Sequence, residues 1–361
     1  MKYIFVIQGE GRGHLTQALA LSELLREAGH VVEDVLVGRC QNRELPTFFT
    51  EKINANITRY DSPTFDLGST SKRGSSTKTV ASNIRISNLQ RWFGSSDIIA
   101  NKIEESDADV VINFYEVLLG ATKMLRPITK PIRKPIISIG HQFLIEHPKF
   151  KSPHKSEAAL LSMTNRVCSY GSIRRLALSF YPMKYSPKLD IEVVPPLLRP
   201  QIFEQQPSTG DFTLGYMLNP GYLDEVLEWK SRHPEAKVHL FWDKQGAAEC
   251  EERVKGLWLH KINDVEFLQY MSSCRGYITT AGFESVCEAL YLGKPVLMIP
   301  AHIEQQINAA DAELVGAGAT ASKFNLSLLE GAIKKYSADT KSFRAWVDSA
   351  REVFLKTLTN I

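Results

Sequence analysis

One stretch limits the fold more than any other. It runs Gly276-Tyr277-Ile278-Thr279, a turn at Thr280-Ala281-Gly282, and an apolar-periodic run over 283–290. Gly293-Lys294-Pro295, a short apolar run over 296–299 and Glu304-Gln305-Gln306-Ile307-Asn308-Ala309 follow. This order predicts strand, tight turn, helix, strand and second helix, a unit that only a parallel sheet accommodates. The turn also predicts chemistry. A helix that starts at a glycine leaves unpaired N–H groups and a partial positive charge, so Gly282 to Ser285 suits an anion. Glu288 lies further along the same helix, where it can accept hydrogen bonds from a diol. A phosphate and a diol side by side point to a nucleotide-sugar.

The rest of the chain supplies the neighbours such a unit requires. Apolar runs at 3–7 and 31–37 flank a helical pattern over 15–28 that stops at Gly29, and further runs lie at 110–114 and 135–139. A second series begins at 212–218 and continues at 238–242, 276–279 and 296–299. Between them, residues 195–211 are rich in Pro, Gln and Ser, which suits a linker. The expectation is an α/β protein of two doubly wound, Rossmann-like domains facing a central cleft. Residues 1–198 form one domain, 211–340 the other, and a last helix near 342–358, within 341–361, crosses back to the first. The polar stretch 69–79 reads as a loop.

The 361 residues suffice for two domains. No apolar run approaches the roughly 18 residues that span a bilayer, and the five cysteines include no CxxC pair, so a cytoplasmic protein is expected. Cys168, Cys274 and Cys287 sit in apolar surroundings as core thiols. The net charge of +3 divides unevenly: residues 1–195 hold 26 Lys+Arg against 19 Asp+Glu, the remainder 17 against 21. The basic stretch Lys123, Arg126, Lys130, Arg133 and Lys134 could rest on an anionic membrane or simply be solvated. No nucleic-acid motif accompanies it.

A second glycine-rich loop, Gln8-Gly9-Glu10-Gly11-Arg12-Gly13-His14, follows the first strand. Its spacing is not the GxGxxG of dinucleotide folds. Gly11 and Gly13 let backbone approach a ligand, and His14 is the expected general base, because an acceptor hydroxyl needs a group with pKa near neutrality to take its proton. Glu116 and His141 follow two other strands and are expected at the same crevice. Glu116 would orient His14 or bind an acceptor, and His141 would bind an acceptor or replace His14 as base.

These motifs resemble the donor signature of GT-B glycosyltransferases, in particular UDP-glycosyltransferases and the N-acetylglucosaminyltransferase acting on lipid I. The resemblance implies pyrophosphate contacts at Thr280, Gly282 and Ser285, ribose contact at Glu288, and sugar contacts at Glu304, Gln305 and Gln306, with Gly11, Gly13, Phe283 and Glu284 also in the donor site. Many members have His where this chain has Thr280. Bacterial and archaeal glycosyltransferase-like proteins share the loop ending in His and the Pro195-Pro196-Leu197-Leu198-Arg199 segment, with Arg usual at the position of Gln17. The retaining class pairs two glutamates eight positions apart. Here Thr280 precedes Glu288 at that spacing, so inversion is expected. Asp107-Ala108-Asp109 precedes a strand rather than following one, unlike a metal-holding DxD, and His147 with His154 lacks further zinc ligands. No metal and no cofactor are expected. The partners implied are a UDP-sugar and an acceptor hydroxyl on a lipid-linked sugar, a polysaccharide or a small molecule. A UDP-N-acetylglucosamine 2-epimerase and a non-catalytic nucleotide-sugar binder are the alternatives.

Overall fold

The structure is a computed structural model and describes residues 1–39, 44–63, 86–151, 155–217, 220–242, 244 and 246–360. The stretch 69–79 and His154 lie outside them.

The first sheet comprises β1 (Lys2–Ile7), β2 (Val31–Arg39), β3 (Asn56–Asp61), β4 (Val110–Phe114), β5 (Ile136–Ile139), β6 (Arg174–Leu178) and β7 (Ile191–Val194). Its order is β3-β2-β1-β4-β5-β6-β7, with parallel pairing throughout. Around it lie α1 (Arg12–Glu27), α2 (Thr47–Lys52), α3 (Ile86–Glu105), α4 (Val117–Leu125) and α5 (Lys155–Cys168). The second sheet comprises β8 (Phe212–Met217), β9 (Lys237–Trp242), β10 (Cys250–Val254), β11 (Leu257–Lys261), β12 (Gly276–Thr279), β13 (Val296–Met298) and β14 (Gly318–Thr320), in the order β10-β11-β9-β8-β12-β13-β14. Its helices are α6 (Leu223–Arg232), α7 (Asp264–Ser273), α8 (Phe283–Tyr291), α9 (Ile303–Leu314) and α10 (Leu329–Lys335).

Both sheets are buried on two faces, which explains their near-continuous apolar strands. Along β1, Tyr3, Phe5 and Ile7 enter one apolar cluster, and Ile4 and Val6 enter another on the opposite face. The first of these clusters continues through Leu197, Leu198 and Ile202 into Leu214, Phe241 and Tyr277, so one core joins the two halves. The strand order reverses between β1 and β4 in the first sheet and between β8 and β12 in the second. Crevices outside the carboxyl ends of strands form at such reversals. The loop after β1 carries His14, and the turn after β12 carries Gly282, so the topology puts the two conspicuous motifs at the two switch points.

Two expectations require correction. The second sheet is not wholly parallel: β10 pairs antiparallel with β11 at its edge. Every residue of β10 is exposed, so no buried alternation marked it. Its Glu251, Glu252 and Arg253 supply the charge that keeps an edge strand from pairing further. The last helix is two, α11 (Thr340–Asp348) and α12 (Ala350–Thr359). The break is at Ser349, whose hydroxyl donates to the Trp346 carbonyl at 2.7 Å and competes with the helix ladder. These helices run from the second half onto the first. Trp346 Nε1 donates to Ser179 O at 3.0 Å, the Tyr3 hydroxyl donates to Leu358 O at 3.2 Å, and Arg351 pairs with Glu27 at 2.7 Å.

Phe354, 0% exposed, anchors this return. Phe354→Ala is expected to lower unfolding free energy by about 3–5 kcal/mol, measured by denaturant titration. A loss below about 1 kcal/mol would contradict a packed C-terminal return.

Candidate functional site

The turn between β12 and α8 is built for close approach. Ala281 adopts φ +64°, a left-handed conformation rare for a residue with a Cβ. Asn308 holds it there, its side-chain amide donating to Ala281 O at 3.3 Å. Gly282 is the N-cap of α8 and brings no side-chain cap to the N–H groups of the first turn. Thr280 Oγ1 accepts from Gln305 Nε2 at 3.4 Å, and Gln305 Oε1 accepts from Ala301 N at 2.9 Å. Gln305 thereby ties the turn to the start of α9, beside half-buried Gln306. Asn308 was not picked out by the sequence reasoning. Its position one turn along α9 was visible, but the strain it supports was not.

Glu288 lies on α8 facing the inter-sheet connection. Arg199 donates to it twice, Nε to Oε1 at 2.6 Å and a terminal nitrogen to Oε2 at 2.9 Å, and also donates to Asp264 O at 3.0 Å. Both side chains are largely enclosed, and the bidentate geometry locks the segment after Pro195-Pro196 to α8. A cavity of about 320 Å³ opens beside this pair, lined by Arg199, Asp264, Lys52, Phe48 and the α1 residues Thr16 and Ser22.

Across from α8 is the loop after β1. A Cβ on Gly9 would lie 2.1 Å from the Gly38 carbonyl oxygen, so only glycine lets this loop pack on β2. Gly11 is the N-cap of α1, and Gly13 packs against Glu284, whose Cγ lies 3.4 Å from where a Cβ would be, an ordinary contact distance. His14 is half-buried, its Nδ1 3.3 Å from Gln17 Oε1, with its ring stacked on Tyr115 at 6.0 Å. Tyr115 is itself left-handed at φ +57° and donates its hydroxyl to Asn165 at 2.7 Å. Each switch point thus carries one strained non-glycine residue, Tyr115 after β4 and Ala281 after β12, a kind of strain found where structure serves a site.

The halves meet through buried polar pairs. Gln17 Nε2 donates to Glu284 Oε1 at 2.6 Å, Gln142 Nε2 to Glu304 Oε1 at 2.9 Å, and the Tyr181 hydroxyl to Asp311 Oδ1 at 2.9 Å. Phe283 stacks on His141 at 4.0 Å. His141 Nδ1 donates to Leu178 O at 2.7 Å, and its Nε2 lies 3.8 Å from Asp311. Glu284 Oε2 and Gln142 Oε1 are buried with no hydrogen-bond partner among the described residues, two polar atoms that still call for a partner. Glu116 sits beneath this surface, 0% exposed. Its Oε1 accepts from Ser62 Oγ at 2.8 Å and from Leu118 N at 2.9 Å, capping α4, whereas the His14 ring is met by Gln17.

Burial sets the charge states. It lowers the pKa of His14, His141 and His302 to about 4, and raises Glu284 to about 8 and Glu304, Asp311 and Glu116 to about 7. His14 is therefore neutral at pH 7, as a proton acceptor must be, but its pKa of about 4 lies below the near-neutral value expected from the sequence, because burial disfavours the charged ring.

Other candidates stand apart. Asp109 accepts from Lys2 N at 2.8 Å at the opposite end of β4 from the cleft. No group of three or more potential metal-ligating side chains occurs among the described residues, nor any helix long and apolar enough to cross a membrane. The basic stretch is already engaged: Arg126 and Lys130 reach Asp97, Arg133 reaches Glu104, and Lys123 and Lys134 donate to backbone carbonyls.

A family model described as glycosyl transferase family 1 matches residues 1–336. A Methanosarcina acetivorans protein described as an uncharacterized glycosyltransferase is 25% identical over 353 aligned residues, covering 88% of this chain and 83% of that protein. Among solved structures, the glycotransferase of kitacinnamycin superposes with a TM-score of 0.63 at 15% identity, covering 99% of this chain and 98% of that one. The Streptomyces nogalater glycosyltransferase SnogD gives 0.58 at 14% identity, covering 100% and 99%. These likenesses identify the architecture as GT-B.

The charge states predict a pH profile for stability. A carboxyl raised on folding stabilises fully below its unfolded pKa, and that stabilisation disappears as pH rises through the folded value. A histidine lowered on folding behaves oppositely, stabilising above about 6.5 and losing that contribution as pH falls toward 4. Above pH 6.5 only the carboxyl effect remains. The melting temperature is expected to fall between about pH 6.5 and 8.5, less steeply in Glu284→Gln. A flat or rising melting temperature over that window would contradict the buried, protonated interface.

Proposed function

Because this chain belongs to glycosyl transferase family 1, we propose that it transfers a sugar from a UDP-linked donor to an acceptor hydroxyl with inversion and without a metal. In this reading residues 1–198 serve the acceptor and 211–340 the donor. The observation that carries it is the uncapped N-terminus of α8 facing the His14 loop, with Glu284 of α8 hydrogen-bonded to Gln17 of α1.

The donor diphosphate sits on the N–H groups at Gly282 to Ser285, beside Thr280 and Phe283. The ribose hydroxyls donate to Glu288. A carboxylate has about four lone-pair sites, so its bidentate pair with Arg199 leaves room for a diol. The nucleoside then extends toward the cavity beside Arg199 and Asp264. The transferred sugar meets Glu304, Gln305 and Gln306, and of the two unpartnered atoms Gln142 Oε1 accepts from a further hydroxyl while the protonated Glu284 Oε2 donates to one.

His14 Nε2 takes the proton of the acceptor hydroxyl as its oxygen attacks the anomeric carbon. The bond from that carbon to the diphosphate oxygen breaks, and the charge left on the diphosphate rests on the helix N-terminus. His141 is less suited as base. Its Nδ1 is spent on Leu178 O and its ring is stacked against Phe283, so it serves the closure and borders the acceptor side. Glu116 supports the acceptor side from below by capping α4. Closure over these buried pairs excludes water, which would otherwise hydrolyse the donor.

The test is a metal-free screen of UDP-sugars with candidate acceptors, following UDP release and product configuration. Wild type should release UDP only with acceptor, and His14→Ala should lose about a hundredfold or more in kcat with UDP affinity within about twofold. Wild-type turnover in that variant would remove His14 as base. Conversion of the UDP-sugar without acceptor would replace this reading with an epimerase, and affinity without turnover would replace it with a binder.

A further inference from the structure

The geometry points to Gln17 as the positioning residue of His14, setting its tautomer through a contact to Glu284 that exists only when the two halves are closed. This rests on His14 as the base.

Gln17 lies three residues after His14 on α1, one turn along the same face, and is 3% exposed. Its amide has one donating and one accepting end. The donating end is pinned, because Nε2 lies 2.6 Å from Glu284 Oε1, which accepts as a carboxylate and also as an acid whose proton is on Oε2. The accepting end, Oε1, is thereby left toward His14 Nδ1 at 3.3 Å. The ring must donate from Nδ1, and its lone pair is at Nε2. Among the described residues, no other side chain or carbonyl hydrogen-bonds this ring; Tyr115 only stacks on it. In a neutral imidazole the tautomer follows from the hydrogen bond made by the nitrogen that is not reacting. Once Nε2 has taken the acceptor's proton, Gln17 Oε1 still receives Nδ1–H and faces the positive ring, with Glu284 polarising the amide from behind.

Glu284 belongs to the first turn of α8, in the other half of the molecule. Its Cγ packs against Gly13, 3.4 Å from where a Cβ would lie, so the two first-turn segments are in van der Waals contact. Separating the halves removes Glu284, frees the amide to rotate, and unlocks the ring. A base oriented this way works only in the closed state, when the donor helix is in place and water is excluded.

The experiment is nitrogen-15 NMR of the histidine rings at pH 7.5, with His14 assigned by loss of its signals in His14→Ala, alongside steady-state kinetics. Wild type should show His14 protonated at Nδ1. Gln17→Met and Glu284→Ala should each shift it toward the Nε2–H form, and Gln17→Met should lower kcat about tenfold or more with donor KM within about twofold. The exchanged pair Gln17→Glu with Glu284→Gln places a carboxylate against Nδ1–H and an amide behind it, and should restore the Nδ1–H signature and most of kcat. Wild-type protonation at Nε2, or an unchanged ring in Gln17→Met, would overturn the proposal. A ring altered by Gln17→Met but not by Glu284→Ala would overturn its dependence on closure. If His14→Ala stays active while wild type shows Nδ1–H, the base assignment fails and the tautomer tie stands.

Discussion

The hydrogen bond from Gln17 to Glu284, 2.6 Å long, is the contact on which the arrangement of the cleft depends. It joins the second turn of α1 to the first turn of α8, the two helices that leave the switch points of the two sheets. Each sheet alone offers only a strand end and a loop. Held together, they set a neutral imidazole opposite an uncapped helix N-terminus. The neighbouring pairs Gln142–Glu304 and Tyr181–Asp311 repeat the theme, each presenting a buried carboxyl of the second half to a neutral donor of the first.

Neutral donors suit this interface. A lysine or arginine would fix the carboxyls as ions and hold the halves tightly, whereas amides and a phenol leave contacts that a ligand rich in hydroxyls can replace at little cost. The firm ion pair lies elsewhere, at Arg199–Glu288, where the chain passes between the two sheets. The return of α11 and α12 over the first sheet adds a second permanent connection through Trp346, Arg351 and Leu358. The molecule combines two fixed ties with a polar closure between them.

Much of this was legible in the sequence. The continuous apolar runs of β1, β4 and β12 are those of strands buried on both faces, and the glycine at 9 marks close backbone packing. What the sequence hides is direction and partnership. Glu116 follows β4 as expected, but its side chain turns inward to cap α4. Glu288 sits at the spacing expected of a diol acceptor, yet its pairing with Arg199 spans 89 positions, and that of Gln17 with Glu284 spans 267. No local pattern encodes contacts that arise only when two sheets close. The β10–β11 hairpin and the break at Ser349 escaped for a different reason: both depend on exposed or local polar groups that leave apolar periodicity untouched.

The central claim is that the closure between the His14 loop and the α8 turn is where the nucleotide-sugar binds. Amide hydrogen exchange with and without UDP tests it most directly. The account predicts protection of residues 282–288, together with 12–17 of the opposing helix, and little change in the outer strands β3 and β10. Binding that protects some other surface, or that leaves 282–288 unchanged, would contradict it.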